Sequence, residues 1–157
     1  MLIAGIDPGA NGAIAVLDSK NPDSVALLDL KKYSVYETIR WIHHNFKIDV
    51  VWLESVHSLY GMSAKSNFGF GRNFGIAFAI AGVAVSGGPV QQVTPKVWQK
   101  YIGVTAKGKA VKQQVAKIAQ YLYPQAELHG KRGGLLDGRS DALMIAYYGL
   151  HNLKEKV

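Results

Sequence analysis

Apolar positions along the chain fall into short runs closed by turn residues. Leu2 to Asp7 is an apolar run ended by Asp7-Pro8-Gly9, the pattern of a buried strand running into a turn. Ala10-Asn11-Gly12 is a tight-turn signal before a second run, Ala13 to Leu17. Asn21-Pro22-Asp23 marks another turn ahead of a third run, Val25 to Leu30. Three strands joined by short turns predict an antiparallel meander. Tyr36, Ile39, Ile42 and Phe46 then recur at helical spacing, which predicts a helix over Val35 to Lys47. Val50 to Leu53 reads as a fourth buried strand, ending at Glu54.

Ser63 to Val85 predicts a long helix. Phe70, Phe74 and Phe78 recur at i+4 and Phe68 lies nearby, while Gly69, Gly71, Gly75 and Gly82 interrupt the pattern. Each glycine weakens an isolated helix by about 1 kcal/mol relative to alanine, so another backbone is expected to approach it, in the core or at a subunit interface. Val90 to Val93 is a short fifth strand. Thr94-Pro95, a cap residue followed by proline, opens a helix from Lys96 to Tyr101. A basic turn, Val104 to Lys109, precedes a helix from Ala110 to Tyr123 that Pro124 stops. Gly130 to Gly138 is a Gly/Arg/Lys loop, and Ser140 to Lys154 is the last helix. The order β-β-β-α-β-α-β-α-α-α shows no repeat and no linker. It predicts one α/β domain over residues 1–157 with a mixed sheet.

Charge sharpens this picture. The chain carries 18 Lys+Arg against 11 Asp+Glu, a net charge of +7. Between Lys96 and Arg139 there are nine Lys/Arg and two acids, so that segment alone accounts for the whole +7. One-sided basic charge is the footprint of binding to nucleic acid or an anionic surface, although a solvated lysine face has the same composition. The absence of cysteine excludes a disulfide framework, a thiol nucleophile and a Cys-ligated metal. No secretory leader or membrane span is expected, because the N-terminus lacks a basic leader and Gly75 to Pro89 is too short and glycine-rich to cross a bilayer. A cytoplasmic protein is expected.

Four acids stand out. Asp7 and Glu54 each end a buried apolar strand, where ligands of open α/β sheets gather. Asp137 and Asp141 stand at i, i+4 around the start of the last helix, so both can point one way. Carboxylates without Cys, and without an H-x-x-x-H pattern, suit Mg²⁺ or Mn²⁺ rather than zinc. Each acid also has an ordinary reading, Asp7 as a turn cap before Pro8 and Asp137 or Asp141 as a helix cap. Jointly, and beside the basic segment, they point to a metal-dependent phosphodiester reaction.

Gly5-Ile6-Asp7-Pro8-Gly9, Trp52-Leu53-Glu54, Val93-Thr94-Pro95-x-x-Trp98, Lys107-Gly108-Lys109 and Asp137-Gly138-Arg139-Ser140-Asp141-Ala142-Leu143 occur in this order. The set spans almost the whole chain and resembles the RuvC family of Holliday-junction resolvases. Phe70-Gly71-Arg72-Asn73-Phe74-Gly75 resembles its compact bacteriophage and prophage branch. The resemblance implies an RNase H-like fold with a five-stranded mixed sheet, the first three strands antiparallel. It implies four carboxylates, Asp7, Glu54, Asp137 and Asp141, holding two Mg²⁺ per site, with Mn²⁺ able to substitute. Many members place the fourth acid three residues before the last, which is Gly138 here, so Asp137 is the nearby candidate. It further implies a homodimer acting on branched DNA, with paired symmetric nicks that leave 5′-phosphate and 3′-hydroxyl ends.

Lys107 and Lys109 are candidate catalytic contacts to the phosphate or transition state. They join Lys112, Lys131, Arg132, Arg139, Arg72 and Tyr60 as candidate DNA contacts, with Tyr60 placed to stack on or wedge between bases. His57 is a candidate proton shuttle. Three rival readings are a junction-binding protein without nuclease activity, a YqgF-type nucleic-acid-processing factor, and an actin-like or sugar-kinase fold. The last needs two such domains, and 157 residues supply one. No small-molecule substrate is expected.

Overall fold

The computed structural model describes residues 1–55, 61–85 and 87–153. Strands β1 (Leu2–Asp7), β2 (Ala13–Asp18), β3 (Asn21–Asp29), β4 (Val50–Glu54) and β5 (Val90–Val93) form one sheet in the order β3-β2-β1-β4-β5. The pairs β1/β2 and β2/β3 are antiparallel, whereas β1/β4 and β4/β5 are parallel. This is the five-stranded mixed sheet of the RNase H-like fold, with its first three strands antiparallel.

Helices α1 (Val35–Asn45) and α2 (Ala64–Ala84) cover one face, and α3 (Pro95–Tyr101), α4 (Ala110–Leu122) and α5 (Asp137–His151) cover the other. Strand alternation divides the core in two. Ala4, Ile6, Ile14, Val16, Val51 and Leu53 meet Ile42 of α1 and Ala77, Ile80, Ala81 and Ala84 of α2. Ala13, Ala15 and Leu17 meet α5, with Trp98 and Val115 closing that side. Gly5, on the α5 face of β1, lets the α5 backbone approach the strand closely. A Cβ there would lie 2.3 Å from both Ala142 O and Ala146 N of α5.

Several boundaries differ from the sequence reading. The turn expected at Asn21-Pro22-Asp23 is strand: β3 starts at Asn21, and the chain reverses at Ser19-Lys20. The Asp18 carboxylate accepts the Lys20 N–H at 2.9 Å and stabilises that turn, and Pro22 is tolerated because β3 is an edge strand. Helix α1 ends at Asn45 rather than Lys47, since Phe46 is already extended. Helix α5 begins three residues before the expected Ser140, which brings Asp137 into its first turn, and it ends at His151.

Helix α2 lies within the expected span, capped by Ser63 and Val85, but its stripes are not the expected phenylalanine row. Phe74 packs against the core with Ala77, Ala81 and Ala84, while Phe70 is half-buried. Phe68, Gly71, Gly75, Phe78 and Gly82 form a second, exposed stripe. Nothing described lies within 4 Å of a Cβ built at Gly69, Gly71, Gly75 or Gly82, so among the described residues no other backbone approaches them.

Candidate active site

The acids come together through three separate local features. Strands β1 and β4 run parallel, with Ile6 opposite Leu53, so Asp7 and Glu54 finish side by side. By alternation both point to the α5 face, as Gly5 and Trp52 do. Helix α5 starts at that end of the sheet and presents Asp137 and Asp141 one turn apart. Gly138 between them has no room for a side chain, because a Cβ would lie 2.0 Å from Asn11 O in the β1–β2 turn. Asp137 is the acidic residue that precedes Asp141, in the first turn of α5.

Asp7, Glu54 and Asp137 all bear electrostatically on Asp141. Burial pushes Asp7 up to about 6, against a hydrogen bond from Gly9 N–H to its Oδ1 at 2.8 Å, with Asp137 adding repulsion. Burial followed by the charge of Asp7 pushes Glu54 up to about 7. The Trp98 indole N–H, which donates to Glu54 Oε1 at 2.9 Å, works the other way. Asp141 is raised well above the usual carboxylate range by burial, then by Asp7, Glu54 and Asp137. Lys112, from the first turn of α4, forms an ion pair with Asp137 and feels Asp141 and Asp7 as well. Its ammonium is held charged, chiefly by the Asp137 contact.

The donor set fits a hard divalent cation: all oxygen, poorly solvated and mutually repelling. In their present positions no three acidic or histidine side chains among the described residues converge on a common ion point. Asp7 Oδ1 is held by Gly9, Glu54 Oε1 by Trp98 and Asp137 Oδ2 by Lys112, each contact leaving one carboxylate oxygen over.

The expected basic residues divide. Lys107 and Lys109 are exposed on the turn leading into α4, where Gly108 has φ +57°. Gln114 holds that turn by accepting the N–H groups of Thr105 and Ala106 at 3.0 and 2.8 Å. With Lys112 they form a cationic edge at the N-terminus of α4. Arg72 lies on α2 and, with Pro8, Gly9, Lys31 and Asn73, lines a groove of about 380 Å³ beside the Asp7 turn. Lys131 and Arg132 are exposed on the loop before α5.

Arg139, a candidate DNA contact from the sequence, is paired within the fold. Its Nε and Nη2 donate to Asp29 at 2.6 and 3.0 Å and its Nη1 to Glu127 O at 2.8 Å, which ties β3 to α5. His57 and Tyr60 lie outside the described residues.

Two residues were not placed beside the carboxylates in the sequence reading. Trp98 appeared only within a motif, and its signal was the Thr94-Pro95 helix start three residues earlier. Lys112 was a general DNA contact, although its spacing of three from Lys109 already put both on the first turn of a helix. A groove of about 610 Å³ lies elsewhere. It lies between Tyr101, Lys117, Tyr121 and Tyr147, and Tyr147 is ten residues, about 15 Å, along α5 from Asp137.

Fold and site together define an RNase H-like α/β protein with a cluster of buried carboxylates at the carboxyl ends of its central strands. Among solved structures it is similar to Thermus thermophilus RuvC, at 21% identity and TM-score 0.55 over 95% of each chain. It is also similar to T. thermophilus RuvC in complex with Holliday junction substrate, at 19% identity and TM-score 0.53, over 93% of this chain and 90% of that one. The fold is thus RuvC-like. No family model matches the chain, and no curated protein sequence matches it.

Proposed function

We propose that this protein is a metal-dependent, structure-selective endonuclease of the RuvC type. In this reading it resolves four-way and related branched DNA junctions by paired symmetric nicks, leaving 5′-phosphate and 3′-hydroxyl ends. The observation that carries the reading is the meeting of Asp7, Glu54, Asp137 and Asp141 at one end of the sheet, beside the lysine edge of α4. Likeness in fold to a RuvC solved with Holliday junction substrate supports the choice of DNA. The stretch from Phe70 to Gly75 supports the bacteriophage and prophage branch.

Asp7, Glu54, Asp137 and Asp141 would hold two Mg²⁺, or Mn²⁺ in their place. When bound, such ions lower the pKa of the attacking water and stabilise charge on the departing 3′-oxygen during in-line displacement. The protein's part is positional and electrostatic. The strand ends and α5 fix the carboxylates, and their burial excludes competing water. Lys107 and Lys109 neutralise the phosphate backbone as it crosses the N-terminus of α4. Lys112 balances Asp137. The working unit is one domain, residues 1–157, paired with a second copy in the cytoplasm. No helix among the described residues is long and apolar enough to cross a membrane.

Glu54→Gln tests this directly. It removes a charge while keeping shape, and relieves repulsion rather than a core contact. Binding to a four-way junction in Ca²⁺ or EDTA is expected to persist or tighten. Nicking of end-labelled four-way, Y-shaped and linear DNA in Mg²⁺ is expected to fall by orders of magnitude. Retained cleavage would remove Glu54 from the site and the mechanism with it.

A further inference from the structure

We infer that Trp98 is the positioning residue for Glu54: its indole N–H fixes one carboxylate oxygen and so aims the other at the divalent cation. The inference rests on the nuclease reading. Ser55 N–H donates to Val93 O at 2.8 Å and Glu54 pairs with Val93, so β4 and β5 end level. Thr94 then caps α3 and Pro95 fixes its first residue, while the Trp98 N–H already bonds back to Thr94 O. Trp98 is thereby carried over the end of β4. Its side chain is fully buried among Val93, Val115 and Leu143, and its Nε1 stands 2.9 Å from Glu54 Oε1.

An indole nitrogen only donates, so this contact commits Oε1 as an acceptor and stops the carboxylate turning. Partners of this kind on a ligating carboxylate typically change metal affinity 10- to 100-fold. The same core supplies its own control. Trp52, on β4 two residues before Glu54, has a buried Nε1 with no hydrogen-bond partner among the described residues. If packing were all that mattered, the two tryptophans would respond alike.

The chain has three tryptophans, Trp41, Trp52 and Trp98, so a proton–nitrogen correlation spectrum shows three indole signals, assigned by single Trp→Phe changes. Titrating wild-type protein with Mg²⁺ alone is expected to move the Trp98 signal and leave that of Trp41 in place. Calorimetry with Mn²⁺ alone is expected to show about 10- to 100-fold weaker binding in Trp98→Phe, with no change in Trp52→Phe. A folded Trp98→Phe that binds Mn²⁺ like wild type overturns the inference. So does a stationary Trp98 signal in protein that binds the ion, and this arm stands even where Trp98→Phe fails to fold. Absence of Mn²⁺ binding by wild type overturns the nuclease reading itself, which separates the two failures.

Discussion

Asp7, Glu54 and Asp141 carry negative charge into a place that solvates it poorly, and this makes stability depend on pH in an unusual direction. Asp7 is raised to about 6 from 3.8 and Glu54 to about 7 from 4.5, each first by burial. Between those values the folded chain holds more protons than the unfolded one, so stability falls as pH rises from about 4 to about 7. Asp29 and Glu37 are lowered, Asp29 chiefly by Arg139 and Glu37 by the Ser34 N–H, and they act below that window. Asp7 and Glu54 each cost on the order of 3 kcal/mol once ionised. In EDTA the melting temperature is therefore expected to decline from about pH 4 to about pH 7, and Mg²⁺ should restore it at the upper end. A melting temperature that rises across that range in EDTA would contradict the buried-acid arrangement. The acids were legible in the sequence because strand ends and helical spacing are local signals. Trp98–Glu54 and Arg139–Asp29 were not, since they join residues 44 and 110 positions apart and depend on which helix crosses which strand.

At the level of elements, the site depends on how closely α5 lies on the sheet. Gly5 and Gly138 are the two places where backbone meets backbone, with built Cβ positions 2.3 Å from Ala142 O and 2.0 Å from Asn11 O. Gly138→Ala must push the first turn of α5 away from the β1–β2 turn. Overpacking of this kind costs about 1–3 kcal/mol, and here it also moves Asp137 and Asp141 relative to Asp7. The expected result is a lower melting temperature together with weakened Mn²⁺ binding, read by thermal unfolding and calorimetry. A neutral Gly138→Ala would mean that α5 is seated more loosely than its contacts indicate. The start of α5 was misplaced in the sequence because Gly-Arg-Ser following Asp137 reads as loop. Its helical state is set by packing on β1 and by the Arg139–Asp29 anchor, which override local propensity. The start of β3 was misplaced for a related reason: Asn21-Pro22-Asp23 has turn chemistry, but pairing with β2 and an edge position make it strand.

For the whole molecule, the open question is what covers α2. Phe68, Gly71, Gly75, Phe78 and Gly82 follow heptad-like spacing on one exposed face, with Phe68 at 76% and Phe78 at 45% exposure. Inside one chain such glycines only cost helix stability, about 1 kcal/mol each, and two phenylalanines in water add to that cost. Both costs are offset if a second α2 lies across the first, glycines admitting its backbone and phenylalanines filling the grooves beside them. A two-fold axis through α2 would make this face its own partner, and it would supply the two sites that the proposed paired nicks require. Light scattering at micromolar concentration is expected to give twice the 17.1 kDa chain mass, with or without DNA. Phe68→Asp with Phe78→Asp should give a folded monomer, because neither side chain belongs to the core. Gly75→Ala separates this from a simple solvated face. In a monomer it would stabilise α2 by about 1 kcal/mol, whereas in the dimer the added methyl holds the helices apart and weakens association. A wild-type monomer, or a Gly75→Ala protein that only gains stability, would leave α2 without a partner and reduce the reading to a single nick per molecule.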